Sequence, residues 1–263
     1  MFHLANLSFV DVDRLSRSGR ALIIIPIGSV EEHGPHLPLG VDTFAAEAYA
    51  EHIAPHLESE GFDVLLAPAV WYGVAQAALA FPGTLTVKPE TLTALLTDVG
   101  SALSDHGFKK LIMLNGHRDL GHMAAISRAV ESLSAAGLDI VNIGFVTDPT
   151  ITAACFRQGM EGISRSSRPD REGHAGEWET SLALYSFPEL VDLDAAQELQ
   201  PNLNYDIDAF RGETVKYEVL SDGRGYFGSP QVASAETGRR LLDVRSRNMA
   251  RLILEKCGTA TAV

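Results

Sequence analysis

The stretch Ala21-Leu22-Ile23-Ile24-Ile25-Pro26-Ile27-Gly28-Ser29-Val30-Glu31-Glu32-His33-Gly34-Pro35-His36-Leu37-Pro38-Leu39-Gly40-Val41-Asp42-Thr43 decides how the chain folds. Residues 21–27 form an unbroken apolar run, the pattern of a strand buried on both faces in a parallel sheet. Gly34, Pro35, Pro38 and Gly40 then exclude a helix. Glu31, Glu32, His33, His36 and Asp42 therefore project from a rigid loop at the strand's end, the edge of an open α/β sheet where ligands bind. Carboxylate and imidazole together are a ligand set for zinc, manganese or iron.

Outward from that stretch the same pattern recurs. Apolar runs at 62–68, 110–115 and 138–146 read as further strands. Helical spacing is expected from Asp42 or Thr43 to Glu60, with apolar positions 44, 45, 48, 49 and 53 on one face, and again over 88–107 and 120–136. A short helix precedes the first strand at 8–20, another follows His174 to about Phe187, and an amphipathic one closes the chain at 233–256. Residues 71–88 are irregular around the turn Phe81-Pro82-Gly83-Thr84. Residues 157–173 read as a long mobile loop or lid, and 190–230 as polar and weakly strand-like. Strand–helix alternation of this kind gives an α/β fold with a mainly parallel sheet covered on both faces. No repeat or linker divides residues 1–263, so one domain is expected.

Composition excludes several function classes. With 21 Lys and Arg against 34 Asp and Glu, the 263-residue chain carries a formal charge of −13. No basic stripe exists to engage nucleic acid or an anionic membrane surface. No apolar run is long enough to span a bilayer, and the N-terminus lacks the pattern of a signal peptide. Cys155 and Cys257 lie far apart and form no CxxC pair, which fits free thiols in a reduced compartment. A cytoplasmic enzyme acting on a small molecule is the expectation.

Three segments then gather chemistry at strand ends: 28–43, Asn115-Gly116-His117-Arg118-Asp119, and Glu172-Gly173-His174-Ala175-Gly176-Glu177-Trp178-Glu179-Thr180-Ser181. Two of them follow parallel strands, whose carboxyl ends share one sheet edge. Their potential ligands exceed the needs of one tetrahedral ion, so a pair of ions bridged by a carboxylate fits better. Asp42, a short side chain held at a helix start, suits the bridge.

In their order, Gly28-Ser-x-Glu31-x-His33-Gly-Pro-His-Leu-Pro, Asp42, Phe81-Pro-Gly-Thr84, Asn115-Gly-His117 and His174-Ala-Gly-x-x-Glu179-Thr-Ser181 resemble the creatininase family, over about residues 21–257. That family contains creatinine amidohydrolases and relatives that hydrolyse formamides. The resemblance implies a three-layer α/β/α sandwich, two divalent ions per subunit (zinc first, manganese or iron as alternatives) and commonly a homohexamer. It assigns Glu31, His33, Asp42, His117 and Glu179 as metal ligands. His174 becomes the residue that protonates the leaving nitrogen, with Glu179 beside it in the catalytic set. The implied reaction is hydrolysis of a non-peptide C–N bond in a small cyclic amide, amidine or formamide by a metal-bridging hydroxide.

The chain also departs from the family. Creatininases carry His-Tyr-Glu after Asn-Gly and many relatives carry His-Gly-Gly, where this chain has His117-Arg118-Asp119. Asp119 is thus either a ligand or a support to a metal-held water or to His117. Gln76-Ala77-Ala78-Leu79-Ala80 replaces a more polar segment and is expected to line the pocket. Around 145–151 no tryptophan matches the one that covers substrate in creatininases. Creatinine itself is therefore not implied.

Plainer roles are expected for other residues. His36 and Glu32 support the loop by hydrogen bonds, His52 and His56 are solvated, and His3, His106 and His122 are isolated. Cys155 is a structural thiol. Gly223-x-Gly225-x-x-Gly228 matches a dinucleotide fingerprint and follows a strand-like Val215–Leu220. A dinucleotide site would need a second strand with an acid about 20 residues later, where a helix to the C-terminus is expected instead. Two other classes stay open: a non-catalytic or regulatory metal-binding relative, and a two-metal phosphoesterase. The three loops offer the latter no Arg or Lys cluster beyond Arg118.

Overall fold

The structure is a computed structural model and describes residues 1–258. Five parallel strands form its sheet: β1 (Phe2–His3), β2 (Ala21–Ile27), β3 (Asp63–Leu66), β4 (Lys110–Asn115) and β5 (Asp139–Gly144), in the order β1-β3-β2-β4-β5. Every residue of β2 is buried because β3 and β4 flank it and helices cover both faces. Side-chain alternation along the strands separates the two cores. Leu22, Ile24, Ile112, Leu114, Val141 and Ile143 face one layer of helices: α2 (Val41–Glu58), α5 (Pro149–Phe156), α6 (Glu177–Ser186) and α10 (Ala235–Cys257). Ile23, Ile25, Leu111 and Met113 face α1 (Phe9–Ser16), α3 (Pro89–Asp105) and α4 (Leu120–Ala135) on the other side. The three-layer α/β/α sandwich follows from this division.

Connections place the site. The chain leaves β2 through α2 to β3 on one flank, then returns across to β4 on the other. The strand order therefore reverses beside β2, and loops after β2 and β4 open next to each other. No helix among the described residues is long and apolar enough to cross a membrane.

Several expectations change. The two-residue edge strand β1 and the helix α5 join the expected elements, α5 opened by Asp148, whose carboxylate accepts from the Thr150 N–H, and by Pro149. The helix expected from His174 begins at Glu177, because Ala175 sits in the left-handed region at φ 50° and Gly176 caps the helix. The weakly strand-like region 190–230 instead carries the short helices α7 (Leu193–Glu198), α8 (Ile207–Gly212) and α9 (Tyr217–Leu220). The segment 157–173 is fastened down. Glu177 accepts from the Arg165 N–H at 2.6 Å and the Ser166 N–H at 3.1 Å, and the Gln158 carbonyl accepts from Asn248.

Candidate metal centre

Glu31, His33 and Asp42 come from the loop after β2 and the first turn of α2, His117 from the end of β4, and His174 and Glu179 from the start of α6. Gly116 makes the first two approaches compatible: a Cβ there would lie 2.4 Å from the Asp42 carbonyl oxygen. The Ser29 hydroxyl donates to Asp42 at 2.6 Å and holds the carboxylate at the mouth of α2.

Two groups of potential ligands result, Glu31 with Asp42 and His117, and His33 with His174 and Glu179, the atoms in each lying within 4.8 Å of one another. Asp42 touches both. Its Oδ2 is 2.9 Å from His117 Nδ1, and its Oδ1 is 3.4 Å from His33 Nε2. Glu31 Oε2 stands 3.1 Å from His117 Nδ1, and Glu179 Oε2 stands 3.8 Å from His33 Nε2.

The imidazoles are oriented as metal ligands are. His33 Nδ1–H donates to the Glu31 carbonyl at 3.0 Å, and its buried Nε2 has no hydrogen-bond partner among the described residues. His117 Nε2–H donates to the Val74 carbonyl at 2.8 Å, leaving Nδ1 toward Glu31 and Asp42. His174 Nε2–H donates to the Glu32 carbonyl at 2.6 Å, and Nδ1 faces inward, 3.9 Å from Glu31 Oε1. Inward lone pairs beside buried carboxylates, one of them an orphaned nitrogen, fit divalent cations by donor chemistry.

Protonation states show the same need for positive charge. Burial raises Glu31 against the pull of His117 and His174. Burial alone would raise Asp42 too, but the His117 and His33 imidazoles hold it well below the usual carboxylate range. Burial disfavours charge on His117, yet Glu31 and Asp42 push it up to about 10. His174 likewise overcomes burial through its hydrogen bond to Glu32 and the Glu32, Glu31 and Glu179 charges, and reaches about 10.

Asp119 is placed otherwise. It caps α4, its Oδ1 accepting from the His122 N–H at 2.9 Å and its Oδ2 from the Gln76 N–H at 3.0 Å, and it belongs to neither ligand group. His36 donates to or accepts from Thr180 at 2.8 Å, and burial together with the neighbouring His33 and His174 charges lowers it to about 4. Glu32 accepts from the Gly34 N–H and brings Oε1 within 3.3 Å of His174 Nε2. His52 spends Nδ1 on the Ala48 carbonyl. Burial pushes the Cys155 thiol up to about 11, as suits an inert thiol.

Two parts gain a role from the structure. His122 is fully buried rather than isolated. Its Nδ1 accepts from the Val74 N–H at 3.1 Å, its Nε2 meets Asn115 Oδ1 at 3.2 Å, and its ring stands edge-on to His117. Its position in the first turn after the Asp119 cap is the signal that could have found it. The Phe81–Thr84 turn braces the ligand loop, the Thr84 hydroxyl accepting from the Glu32 N–H at 3.0 Å. The glycine motif braces it from the other side: Gly225, at φ 71°, lies where a Cβ would be 2.4 Å from the Glu32 carboxylate. No strand precedes that motif, since 217–220 is helical.

A cavity of about 540 Å³ opens from Asp42, His117, His174 and Glu179. Its walls include Tyr49, Phe156, Trp178, Phe210 and Tyr217. Gln76–Ala80 is absent from the lining, which corrects the expectation from sequence. Ala77 and Ala78 pack behind the wall against Phe210, Tyr217 and Phe227. Arg157, Arg211 and Arg245, from elements outside the three loops, join Arg118 around the cavity.

Comparison with known proteins places these features in context. The family model described as Creatininase: Creatinine amidohydrolase matches residues 5–253. The chain is 27% identical to the creatinine amidohydrolase of Pseudomonas putida, with 96% of each covered. It is 30% identical to a mycofactocin precursor peptide peptidase of Mycobacterium tuberculosis, covering 91% of this chain and 88% of that one. It is 29% identical to the 3-dehydro-scyllo-inosose hydrolase of Thermotoga maritima, covering 89% and 78%. Among solved structures, a creatinine amidohydrolase (creatininase) superposes with a TM-score of 0.73 at 26% identity over 98% of both chains. A manganese form of creatininase gives 0.73 at 26% identity, over 97% of this chain and 98% of that one.

Proposed function

Because the chain belongs to the creatininase family, we propose that it is a metal-dependent amidohydrolase cleaving a non-peptide C–N bond in a small cyclic amide, amidine or formamide. The observation that supports this most directly is Asp42, whose two carboxylate oxygens face His117 Nδ1 and His33 Nε2, one in each ligand group. Glu31, Asp42 and His117 would hold one divalent ion, and His33, Glu179 and the shared Asp42 a second. Zinc or manganese suits this donor set, and solved creatininases include a manganese form and a Zn–Zn form. When bound, two such ions supply an activated water and polarise a carbonyl at neutral pH.

The chain's own groups perform the rest. An amide nitrogen leaves only once protonated, and His174 Nδ1 is the group that carries that proton. The Glu32 carbonyl and carboxylate fix its ring through Nε2. Tyr217 covers the ring, 5.1 Å away between centroids. Two cations beside His174 would lower its pKa from about 10 toward the range where a proton is both held and given up. Relatives named for creatinine, a precursor peptide and an inosose all match this chain over most of its length, so the family does not choose the substrate. Assembly as a homo-oligomer belongs to the same reading and is measurable by light scattering.

Metal analysis combined with a screen of lactams, creatinine and formamides tests the proposal. Hydrolysis by the metal-loaded protein, abolished by chelation and restored by zinc or manganese, is the expected result. His174→Gln should keep its metal and lose turnover. A metal-free variant would make His174 a ligand, as its place beside His33 and Glu179 also permits.

A further inference from the structure

The cavity runs from the ligand groups along α2. Asp42 and Tyr49 both line it and stand seven residues apart, on one helix face and about 10 Å apart along the axis. At the Tyr49 end stands Arg245 of α10, only 5% exposed. Its Nη1 donates to the Tyr49 hydroxyl at 3.0 Å. Its guanidinium carbon is 5.2 Å from the Phe156 ring centroid and 5.2 Å from that of Trp178, the neighbour of Glu179. Its Nε is buried with no acceptor among the described residues.

A guanidinium cannot discharge itself by losing a proton. Aromatic faces offset part of its desolvation, but a buried charge is normally paired with an opposite one. Among the described residues, no carboxylate stands within ion-pair distance of Arg245, Arg157 or Arg211. Instead these guanidinium groups converge. Burial lowers Arg157, and the Arg211, Arg118 and Arg245 charges lower it further. The acids on the same wall do not pair with these arginines. Asp170 pairs with Arg168 at 2.7 Å, and Glu172 Oε2 accepts from the Glu177 and Ser229 N–H groups while its Oε1 is buried without a hydrogen-bond partner among the described residues. Arg118 is met by Glu213 and the Arg211 carbonyl.

We infer that this cavity takes a substrate bearing a carboxylate, which docks on Arg245 while the C–N bond to be broken lies at the ligand groups. The inference rests on the amidohydrolase reading for the reaction, but not for the binding. Arg157 and Arg211, exposed at the rim, draw the anion in, and Arg245 receives it in the planar fork geometry that suits a carboxylate. The separation of the two ends sets a length. A carboxylate adjacent to the amide, as in N-formylglycine, reaches one end only, and a longer ω-amino acid derivative reaches both.

Calorimetry on the metal-loaded protein tests this with N-formyl-ε-aminocaproate, its neutral carboxamide, N-formylglycine and N-formylaminopentyl phosphate. The long carboxylate should bind about ten-fold or more tighter than its carboxamide and tighter than N-formylglycine. Arg245→Gln should erase the acid-over-amide preference with metal content unchanged, and Arg245→Lys should restore part of it. Equal affinity of acid and amide in the wild type overturns the subsite without recourse to any variant, as does absence of binding. A preference surviving in Arg245→Gln overturns the role of Arg245. Tighter binding of the phosphate probe overturns the carboxylate assignment in favour of a phosphoryl group. Formate release read in parallel separates the two readings. An intact acid preference with no release supports the subsite and counts against amide hydrolysis.

Discussion

The carbonyl oxygen of Val74 accepts the Nε2–H of His117 at 2.8 Å, while the N–H of the same Val74 donates to His122 Nδ1 at 3.1 Å. One peptide segment thus fixes two histidines, and His122 returns the restraint through Asn115. His117 presents Nδ1 to Glu31 and Asp42 because this frame leaves it no other orientation.

Replacing His122 by Phe keeps the ring's bulk and removes the acceptor. Metal affinity should fall about 10–100-fold with the fold retained, the usual effect of losing an outer hydrogen bond to a ligand. Competition with a chromophoric chelator measures it, and unchanged affinity would remove His122 from the frame's function.

Asp42→Asn removes one of the three carboxylate charges of the ligand groups without changing the shape of the site. Fewer than the wild-type complement of ions should bind, and hydrolysis should vanish while circular dichroism stays native. Full occupancy and full activity would refute the bridging role.

Metal loading should release protons. Free His117 titrates near 6.5 and in the cation-free fold near 10. Its raised value stabilises the cation-free fold fully below about 6.5, and that contribution is lost as pH rises through about 10. At pH 8 His117 is therefore protonated until a cation displaces the proton. Calorimetry in buffers of different ionisation enthalpy should show net proton release at pH 8. An enthalpy independent of buffer would refute it.

Asp119→Ala removes the α4 cap and the anchor of the Gln76 N–H. Stability should drop by about 1 kcal/mol from the cap. Activity should fall about 10–100-fold as the His122 frame loosens, both ions remaining bound. Loss of one ion per chain would identify Asp119 as a ligand instead.

Much of this architecture is legible in the sequence because buried parallel strands leave an unambiguous trace. Ala21–Ile27 and Leu111–Asn115 are buried on both faces, so no alternation disguises them. The glycine- and proline-bound ligand loop is legible for a related reason: its backbone admits few other conformations. Val215–Leu220 misleads because Val215, Tyr217 and Val219 alternate with Lys216 and Glu218 and so imitate a strand. There, Tyr217 stacks on Phe210 and packs against Phe227, and tertiary contact overrides the local preference. Phe2–His3 is too short to carry a pattern. Arg245 is the least legible residue of all. On α10 it resembles Arg239, Arg247 and Arg251, and only its burial between Phe156 and Trp178 sets it apart.

The ligand groups draw on three stretches of chain, 31–42, 117 and 174–179, that meet only when β2, β4 and α6 are all in place. Cations held there would act as a rivet, closing long loops, and a crosslink restrains an unfolded chain more the longer the loop it closes. Because the unfolded chain offers no such site, every ten-fold rise in free metal above the dissociation constant deepens the folded basin by about 1.4 kcal/mol. Metal supply would then set how long the protein survives in the cell as well as how fast it works.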